Sequence, residues 1–433
     1  MSARPLLVQP GRLLDGTGAP SRADAALLVC DGRIAAVGPV AQVRQHPDAA
    51  DARVVDAAHQ TVLPGLVDGH VHAAWGKDRD AGWASARADR DLLLLWTATG
   101  TQAALRAGVT TLRDCGAPGD VTLKVKRSLA DGVLAGPRFL VCGPSITTTS
   151  GHGEYIGVTA DSADELRRTV RELCRQGADF IKIMATGGTS DPADTNRRRA
   201  QYSQAELEAG IADAHRLGRL VVTHVNATEG IRNAVAAGAD ALAHCNWLGE
   251  AEGTIDYDPA VADEIVRRRL FIDLNVEGAT RPLQTGDGRL QDWSMPAAPQ
   301  NRWDILGDLR RRGAPIFLSS DGDGPALGKF PGQLVEAQRL LGLSAEELIW
   351  RVTGVAAAGI GRGDQIGTLE TGKQADFVVL DGDLATEPRA LLRVHQVYLG
   401  GRLVVQDGWL AAAPALGPSP WEDPVTAAMG VPP

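Results

Sequence analysis

The sequence predicts an α/β fold, namely a (β/α)8 TIM barrel with a small composite β-sandwich domain built from both chain ends. Two patterns predict it. Through the middle of the chain, eight short apolar runs alternate with longer helical stretches, as expected for parallel strands covered by helices. Both ends instead show short strand-like runs separated by turns. The 433 residues accommodate both parts, because one such barrel takes about 250 residues.

The first part of the chain, residues 1–62, reads as hairpins. The runs "PLLVQPGRLLDG", "ALLVCDGRIAAVG" and "ARVVDAAHQTVLPG" are punctuated by Gly and Asp-Gly. The same rhythm returns after residue 361 in "QIGTLETGKQADFVVLDGDL" and "VHQVYLGGRLVVQDG", before an Ala- and Pro-rich tail that begins at Ala411. Neither segment is long enough to be stable alone. We therefore predict one small β domain made of residues 1–62 and 362–433.

The segment between them, residues 63–361, carries the predicted barrel. Its helical stretches, such as "SADELRRTVRELCRQGA" and "SQAELEAGIADAHRLG", open with Ser, have an acid at or near the capping-box position and end at or just before Gly. The first apolar run ends near His72. The other seven runs lie at residues 108–114, 137–143, 179–185, 219–225, 241–245, 270–276 and 315–321.

The composition narrows the class of function. Hydrophobic residues make up 44% and charged residues 22% of the chain, which is ordinary for a globular protein. A net charge of -9 gives no basic footprint for nucleic acid, and the N-terminal residues contain no apolar run that would serve as a signal peptide or membrane anchor. Five scattered cysteines without a C-x-x-C pair predict reduced thiols. We expect a cytoplasmic homo-oligomer with a small-molecule substrate and no nucleic-acid or membrane partner.

Polar residues interrupt the apolar runs near their carboxyl ends. The stretch "VLPGLVDGHVHAAWG" places His70 and His72 on the same face of a strand, and this pair alone favours two hydrogen-bonded histidines over a metal site. Barrel enzymes place their chemistry at the carboxyl ends of the strands. A core histidine would explain one such residue but not the whole set, so we predict a metal site there. The set is completed by Lys182, His224, His244 and Asp321.

Lys182 is the unusual member, because it lies inside the apolar strand "FIKIMATGG". A buried ammonium is costly unless it is paired or chemically altered. Two interpretations are open. In the first, Lys182 is bonded to a neighbouring carboxylate. In the second, it is carbamylated by carbon dioxide and becomes an anionic carboxylate on a long arm, able to bridge two cations.

Four longer motifs together resemble the amidohydrolase superfamily. They are "LPGLVDGHVH", "GADFIKIMATGG", "VVTHVNATEGIRNAVAAGADALAHC" and "GTLETGKQADFVVLDGDL", and the likeness covers nearly all of the chain. The pattern is similar to the binuclear branch with a carboxylated lysine. Within it, the chain looks closest to the neighbourhood of prolidases, imidazolonepropionase-like enzymes and ochratoxin hydrolases.

This resemblance implies a site with two zinc ions per chain, although other divalent metals would also fit. By position, His70, His72 and Asp321 would bind the buried ion. Carbamylated Lys182 and a hydroxide would bridge it to a second ion. That second ion would be bound by His224 and His244. The resemblance also implies that Asp321 carries the proton from the attacking hydroxide to the leaving group.

The chain departs from some relatives in the residues that would meet the substrate. Relatives that cleave dipeptides often carry Tyr two residues past the fifth-strand histidine, where this chain has Asn226. Tyr202 is the candidate to replace that phenol, unless it packs against the following helix. Ala227 stands where deaminases of the superfamily place Glu, which argues against deamination. His152, in a Gly-flanked loop, resembles loop histidines that point at the substrate in relatives, and the alternative is a solvated histidine.

Other substrate contacts are predicted more loosely. Arg197 and Arg199 lie in a charge run that would either bind a substrate carboxylate or form a solvated face. The aromatic residues Trp75, Trp247 and Trp293 would line an aromatic pocket or pack ordinarily. Asn226 is the remaining candidate, by its place beside the fifth-strand histidine.

We therefore predict a metal-dependent hydrolase that cleaves an amide-type C–N bond, such as an N-acyl, carbamate or urea bond, through a hydroxide bridging two zinc ions. The alternative with the same chemistry is an Xaa-Pro-type dipeptidase or carboxypeptidase. The alternative from another class is a non-catalytic scaffold of the same fold, but a scaffold has no reason to keep a buried lysine among histidines.

Overall fold

The computed structural model describes residues 4–75, 89–188, 195–276 and 302–411. In these ranges the strands are β1 Leu6–Leu13, β2 Ala26–Cys30, β3 Arg33–Gly38, β4 Arg53–Pro64, β5 Leu66–His72, β6 Val109–Asp114, β7 Arg138–Val141, β8 Ser145–Thr147, β9 Gly157–Thr159, β10 Ile181–Met184, β11 Val221–Ala227, β12 Ala241–Leu248, β13 Phe271–Asn275, β14 Ile316–Ser319, β15 Gly322–Asp323, β16 Phe377–Asp381, β17 Val394–Leu399, β18 Arg402–Gln406 and β19 Trp409–Leu410.

The α-helices of the described ranges lie mainly between the middle strands. They are α1 Val40–Val43, α2 Arg90–Arg106, α3 Val121–Ala130, α4 Ala163–Gln176, α5 Gln204–Arg216, α6 Thr228–Ala237, α7 Pro259–Arg268, α8 Arg302–Arg311, α9 Phe330–Leu341, α10 Ala345–Val352 and α11 Gly354–Gly359.

Strands from the two chain ends share one sheet. Its order is β19-β18-β17-β16-β4-β1-β2-β3, and the two ends of the chain meet where β16 pairs antiparallel with β4. At that junction Phe377 lies opposite Pro64 and Asp381 lies opposite Gln60. Both faces of the sheet bury apolar side chains, with Phe377 and Tyr398 in one cluster and Leu28 in the other. The strands of each chain end therefore depend on those of the other.

The middle of the chain forms parallel-strand sheets. Each of the eight predicted apolar runs contains a strand, and these strands pair in parallel within a four-stranded sheet (β15-β5-β6-β7) and a seven-stranded sheet (β14-β13-β12-β11-β10-β8-β9). Backbone hydrogen bonds join the sheets, from Asp179 N to Val141 O at 2.8 Å and from Asp321 N to His70 O at 2.9 Å. A mixed α/β fold with parallel strands is thereby confirmed, and its strand order is consistent with a TIM barrel.

Helix caps follow the sequence signals. Ser203 accepts a hydrogen bond from Glu206 N, and the Glu206 side chain accepts one from the Ser203 backbone, which completes a capping box at the start of α5. Ser162 accepts from Glu165 N at the start of α4, and the left-handed residue Gly177 ends that helix. These local signals set where the two helices begin and where α4 ends.

Two further features bear on the expectations drawn from composition. All five cysteines are free thiols, at positions 30, 115, 142, 174 and 245. In the part of the chain that the structure describes, no helix combines the length and apolar character required to cross a bilayer. The tail beyond Ala411 and the tryptophan at position 293 lie outside the described residues.

We predict that Phe377→Ala destabilises the protein by about 3–5 kcal/mol, because Phe377 is fully buried and its ring stacks on Tyr398 at 4.3 Å. Chemical denaturation followed by circular dichroism measures the change. Trp409→Ala is the control, since Trp409 is 76% exposed in the same sheet and its loss should change the stability by less than about 0.5 kcal/mol. Equal effects of the two variants would mean that the shared sheet does not stabilise the fold.

Candidate metal centre

Three of the predicted ligands converge at the carboxyl ends of two neighbouring strands. The Nε2 atoms of His70 and His72, on β5, each lie 3.5 Å from Asp321 Oδ1, just after β14. One ligand atom from each residue lies within 4.8 Å of the other two. Two ligands at about 2.1 Å from one tetrahedral ion stand about 3.4 Å apart, so this spacing fits a shared zinc-sized ion.

Hydrogen bonds on the far side of each imidazole orient it. His70 Nδ1 lies 2.8 Å from Asp273 Oδ2, and His72 Nδ1 lies 3.1 Å from Gly116 O. Carboxylate and carbonyl oxygens only accept, so both rings carry a proton on Nδ1, and Nε2 is the nitrogen of each ring that faces Asp321. A metal bound here would take the place of any proton on Nε2.

The second pair of histidines lies beside the first. The ring of His244, on β12, is 4.4 Å from that of His224, on β11, and 5.5 Å from that of His70. Nε2 of His224 lies 3.3 Å from Gly187 O and 2.8 Å from Asn226 Nδ2. In the tautomer that donates from Nε2 to the Gly187 carbonyl, Nδ1 keeps the lone pair that a metal needs.

Electrostatics keep these two imidazoles in the metal-binding form. Removal from water, reinforced by His152, His244 and Lys182, lowers the pKa of His224 well below its ordinary value. The same loss of solvation, with His70 and Lys182 nearby, lowers the pKa of His244 to about 3. Both rings are therefore neutral at physiological pH and retain a lone pair for a cation.

Lys182 lies among these rings. Its side chain is fully buried, and its Nζ is 3.3 Å from His70 Nε2. Within the described ranges, no carboxylate pairs with Lys182 at ion-pair distance. The first interpretation of this residue, a lysine neutralised by a neighbouring acid, thus has no partner in this part of the chain.

Asp321 combines ionisation with access. Desolvation by itself raises the pKa of its carboxyl group, but the charge of His70 and a hydrogen bond from His72 outweigh that effect and hold the pKa well below the ordinary value. The Asp321 side chain is 32% exposed, so a substrate can reach it. An ionised, accessible carboxylate beside two imidazoles can both bind a cation and accept a proton.

Unusual backbone conformations aim two of these groups. Asp321 has φ of 54° and His244 has φ of 69°, in the left-handed region that non-glycine residues seldom occupy. Cys245 and Trp247 share this feature, with φ of 48° and 54°. Such strained positions cluster at functional sites because the surrounding structure holds them there.

The structure also brings His152 to this cluster. Its ring centre is 4.4 Å from that of His224, and its backbone N–H donates to Gln201 Oε1 at 2.6 Å. The approach requires glycine at position 188, where a Cβ atom would lie 2.1 Å from His152 Cε1. Asn226 reaches the cluster as well, through its contact with His224.

Two predicted site residues are instead part of the protein core. The Tyr202 hydroxyl donates to Ala160 O at 2.9 Å, and the ring packs in the main hydrophobic cluster. Trp247 is fully buried and packs edge-on against Tyr257 at 5.5 Å. Both side chains are therefore used in packing. Sequence position alone did not reveal this.

The remaining candidates lie around the mouth of the site. Arg199 forms an exposed ion pair with Glu250 at 3.2 Å, and Arg197 is exposed. Trp75 stacks on the His72 ring at 4.4 Å with an angle of 13° between the planes. Of the predicted aromatic residues, Trp75 is thus the one that touches a metal-ligand candidate among the described residues.

The sequence did not predict a buried ion pair that lies beneath the histidines. Asp273 and Arg113 are both buried, and Arg113 Nη2 lies 3.2 Å from Asp273 Oδ2. The signal that drew attention to Lys182 was available for both, since each interrupts an apolar run, in "LFIDLNV" and "GVTTLRD". Because these two residues lie far apart in the sequence, their pairing could not be predicted from it.

Comparisons with known proteins agree with this geometry. The sequence model of the Amidohydrolase family matches residues 61–404. The ochratoxinase of Aspergillus niger is 28% identical over an alignment that covers 93% of this chain and 87% of that protein. The imidazolonepropionase of Symbiobacterium thermophilum is 27% identical, with coverage of 93% and 97%.

Solved structures show the same fold. The crystal structure of A. niger ochratoxinase matches with a TM-score of 0.76 at 24% identity, covering 95% of this chain and 99% of that one. Phenylurea hydrolase B matches with a TM-score of 0.75 at 24% identity, covering 92% and 96%. An Xaa-Pro dipeptidase with bound methionine in its active site matches with 0.73 at 22% identity, covering 92% and 99%.

We predict that Tyr202→Phe lowers the stability by about 0.5–1.5 kcal/mol, the usual contribution of one buried hydrogen bond, and leaves metal binding unchanged. Thermal denaturation and elemental analysis of the purified protein measure the two effects. His224→Phe is the matched aromatic replacement and should reduce the bound metal. Loss of metal in Tyr202→Phe would instead mean that Tyr202 contributes to the metal site.

Proposed function

The chain belongs to the amidohydrolase family, and on that premise we propose that it hydrolyses an amide-type C–N bond, such as an N-acyl, carbamate or urea bond, at a binuclear zinc centre. The family match confirms the resemblance read from the sequence, and the protein is a hydrolase acting on carbon–nitrogen bonds. The observation that carries the proposal is the convergence of His70, His72 and Asp321, with ligand atoms within 4.8 Å of one another.

We extend the proposal to the architecture. In it, residues 63–361 form a closed (β/α)8 barrel, and residues 1–62 and 362–433 form the small β-sandwich domain with the C-terminal tail. The parallel strand order and the two backbone hydrogen bonds that join the parallel sheets support closure of the barrel. The sheet shared by the two chain ends supports the composite domain.

The donor set fits two divalent cations. His70, His72 and Asp321 would hold one ion, and His224 and His244 would hold the second. Imidazole and carboxylate ligands in this number are typical of zinc, although they also bind other divalent metals. When bound, the metals would polarise the scissile carbonyl and lower the pKa of a water molecule.

Lys182 would join the two halves of the set as a carbamate. The neutral amine forms an N–C bond with carbon dioxide and releases one proton, giving an anionic group with two oxygens. Four histidines and one aspartate leave two cations short of ligands and of negative charge. An ammonium beside the metals would instead add a third positive centre at several kcal/mol of repulsion. The position of Nζ, 3.3 Å from His70 Nε2, supports this assignment.

The protein's own residues would move the proton. Asp321 accepts it from the attacking water and returns it to the leaving nitrogen as the C–N bond breaks, while the hydroxyl oxygen stays on the carbonyl carbon. The exposed part of the Asp321 side chain would be accessible to such a substrate. His152 lies beside His224, in space that the missing Cβ of Gly188 leaves open. It would donate a hydrogen bond to the carbonyl oxygen of the substrate as negative charge develops on that oxygen.

The substrate is proposed to be a small molecule with a non-peptide C–N bond. The names of the relatives, an ochratoxinase and a phenylurea hydrolase, support this choice. An Xaa-Pro-type dipeptidase or carboxypeptidase is the alternative, supported by the dipeptidase of like fold. Two observations weaken it, since Tyr202 is buried away from the site and Arg199 is paired with Glu250. Arg197 remains the candidate for a substrate carboxylate.

The scaffold alternative is disfavoured, because the full set of ligand residues is retained and converges. The cytoplasmic location, the homo-oligomeric state and the lack of nucleic-acid and membrane partners stay predictions from composition.

We predict that the zinc-loaded protein contains about two metal ions per chain and hydrolyses at least one class in a panel of N-acyl amino acids, carbamates, phenylureas and dipeptides. Chelation should abolish the activity, and His72→Ala should lose one ion and nearly all turnover, because it removes a ligand of the first ion. Elemental analysis and product detection by mass spectrometry give the readouts. A metal-free protein with full activity would overturn the proposal, and metal binding without turnover of any class would favour the scaffold.

We predict that Lys182→Ala is nearly inactive and that short carboxylic acids partly restore its activity by occupying the position of the carbamate. Added bicarbonate should also speed metal reconstitution of the wild-type protein. Lys126→Ala is the control, since Lys126 pairs with Asp179 at 2.8 Å away from the site, and it should keep its activity. An unmodified Lys182 beside a single metal in electron density would instead indicate single-metal chemistry.

A further inference from the structure

A buried hydrogen-bond network lies beneath the first pair of ligands. Asp273 is fully buried on β13 and accepts from His70 Nδ1 at 2.8 Å and from Arg113 Nη2 at 3.2 Å through the same oxygen, Oδ2. Its other oxygen, Oδ1, accepts from the Ser319 hydroxyl. Ser319 in turn accepts from Asn275 Nδ2 at 3.1 Å. Each oxygen of Asp273 is thus engaged by a protein donor.

Arg113 fixes both Asp273 and the backbone next to His70. Its Nε donates at 2.5 Å to the carbonyl oxygen of Gly69, which belongs to the peptide that leads into His70. The guanidinium lies between the rings of Phe180 and Phe317, at 5.2 and 5.7 Å from their centres. These contacts leave the Arg113 side chain little freedom. It therefore restrains both the main chain next to His70 and Asp273, the acceptor of the His70 ring.

The charges explain why the two groups occur together. A buried carboxylate alone would be costly, and beside two cations it would compete as a ligand. Arg113 compensates the charge of Asp273, while Ser319 occupies the oxygen that would otherwise be free. Asp273 therefore remains an acceptor for His70 and stays out of the ligand set.

We propose that Arg113, Asp273 and Ser319 are positioning residues that hold His70 in the orientation and tautomer that present Nε2 to the metal, and that they thereby set the metal affinity of the site. This inference rests on the proposed function, since it assumes that His70 binds a metal. Outer partners of histidine ligands typically contribute 10–100-fold to metal affinity.

The experiment compares the zinc affinity of three variants with that of the wild type by competition with a chelator. Asp273→Asn keeps the size of the side chain but removes its negative charge and replaces one of its two acceptor oxygens by an N–H₂ group that cannot accept. Ser319→Ala removes one hydroxyl and no charge, so it carries the test if Asp273→Asn does not fold. Asp376→Asn is the matched control, because Asp376 forms another buried pair, with Arg138 at 2.8 Å, outside the site.

Asp273→Asn is expected to weaken zinc binding 10–100-fold and Ser319→Ala to weaken it in the same direction by less. The visible spectrum of the cobalt-loaded protein should change in both, because the direction of the His70 ligand changes. Asp376→Asn should lower the melting temperature while zinc affinity and the cobalt spectrum stay as in the wild type.

Wild-type affinity and an unchanged cobalt spectrum in folded Ser319→Ala and Asp273→Asn would overturn the positioning role and leave the hydrolase proposal intact. A weakening of zinc binding in Asp376→Asn equal to that in Asp273→Asn would also overturn it, since the effect would then follow from stability alone. A wild-type protein that binds no zinc would refute the proposed function itself.

Discussion

The hydrogen bond between the His70 imidazole and the Asp273 carboxylate links the two parallel sheets through the interior of the protein. His70 lies on β5 in the four-stranded sheet, and Asp273 lies on β13 in the seven-stranded sheet. The ion pair of Arg113 with Asp273 repeats the link from β6. Polar groups buried this deeply must satisfy one another. The directions of the ligand nitrogens follow from that requirement.

Around this link, the site divides into a rigid part and a variable part. The metal-ligand candidates lie on strands or directly after them, where backbone pairing restrains each side chain. The residues proposed to meet the substrate, His152 and Arg197, lie on connecting segments. Loops tolerate change better than strands, so one arrangement of ligands can serve relatives with different substrates. This division fits a family whose members carry names as different as ochratoxinase and imidazolonepropionase.

Some of the local backbone strain aims functional groups. Left-handed conformations at His244 and Asp321 turn two ligand candidates toward the cluster, and the missing Cβ of Gly188 admits His152. The packing of the surrounding helices and strands supplies the stability that offsets such strain. A substitution that relieved the strain would therefore be expected to misdirect a ligand and to stabilise the chain.

The sequence by itself determined the parallel α/β fold, the positions of eight of its strands and the three residues, His70, His72 and Asp321, whose ligand atoms converge. Apolar periodicity and its interruption by polar residues are local patterns, so both can be recognised in the sequence without knowledge of the tertiary structure. Only the tertiary structure decided that Tyr202 and Trp247 belong to the core, and that Asp273, 203 residues from His70 along the chain, orients it. The physical reason is that the direction of a side chain depends on packing from distant segments. Those contacts are made when the sheets come together, and no short stretch of sequence encodes them.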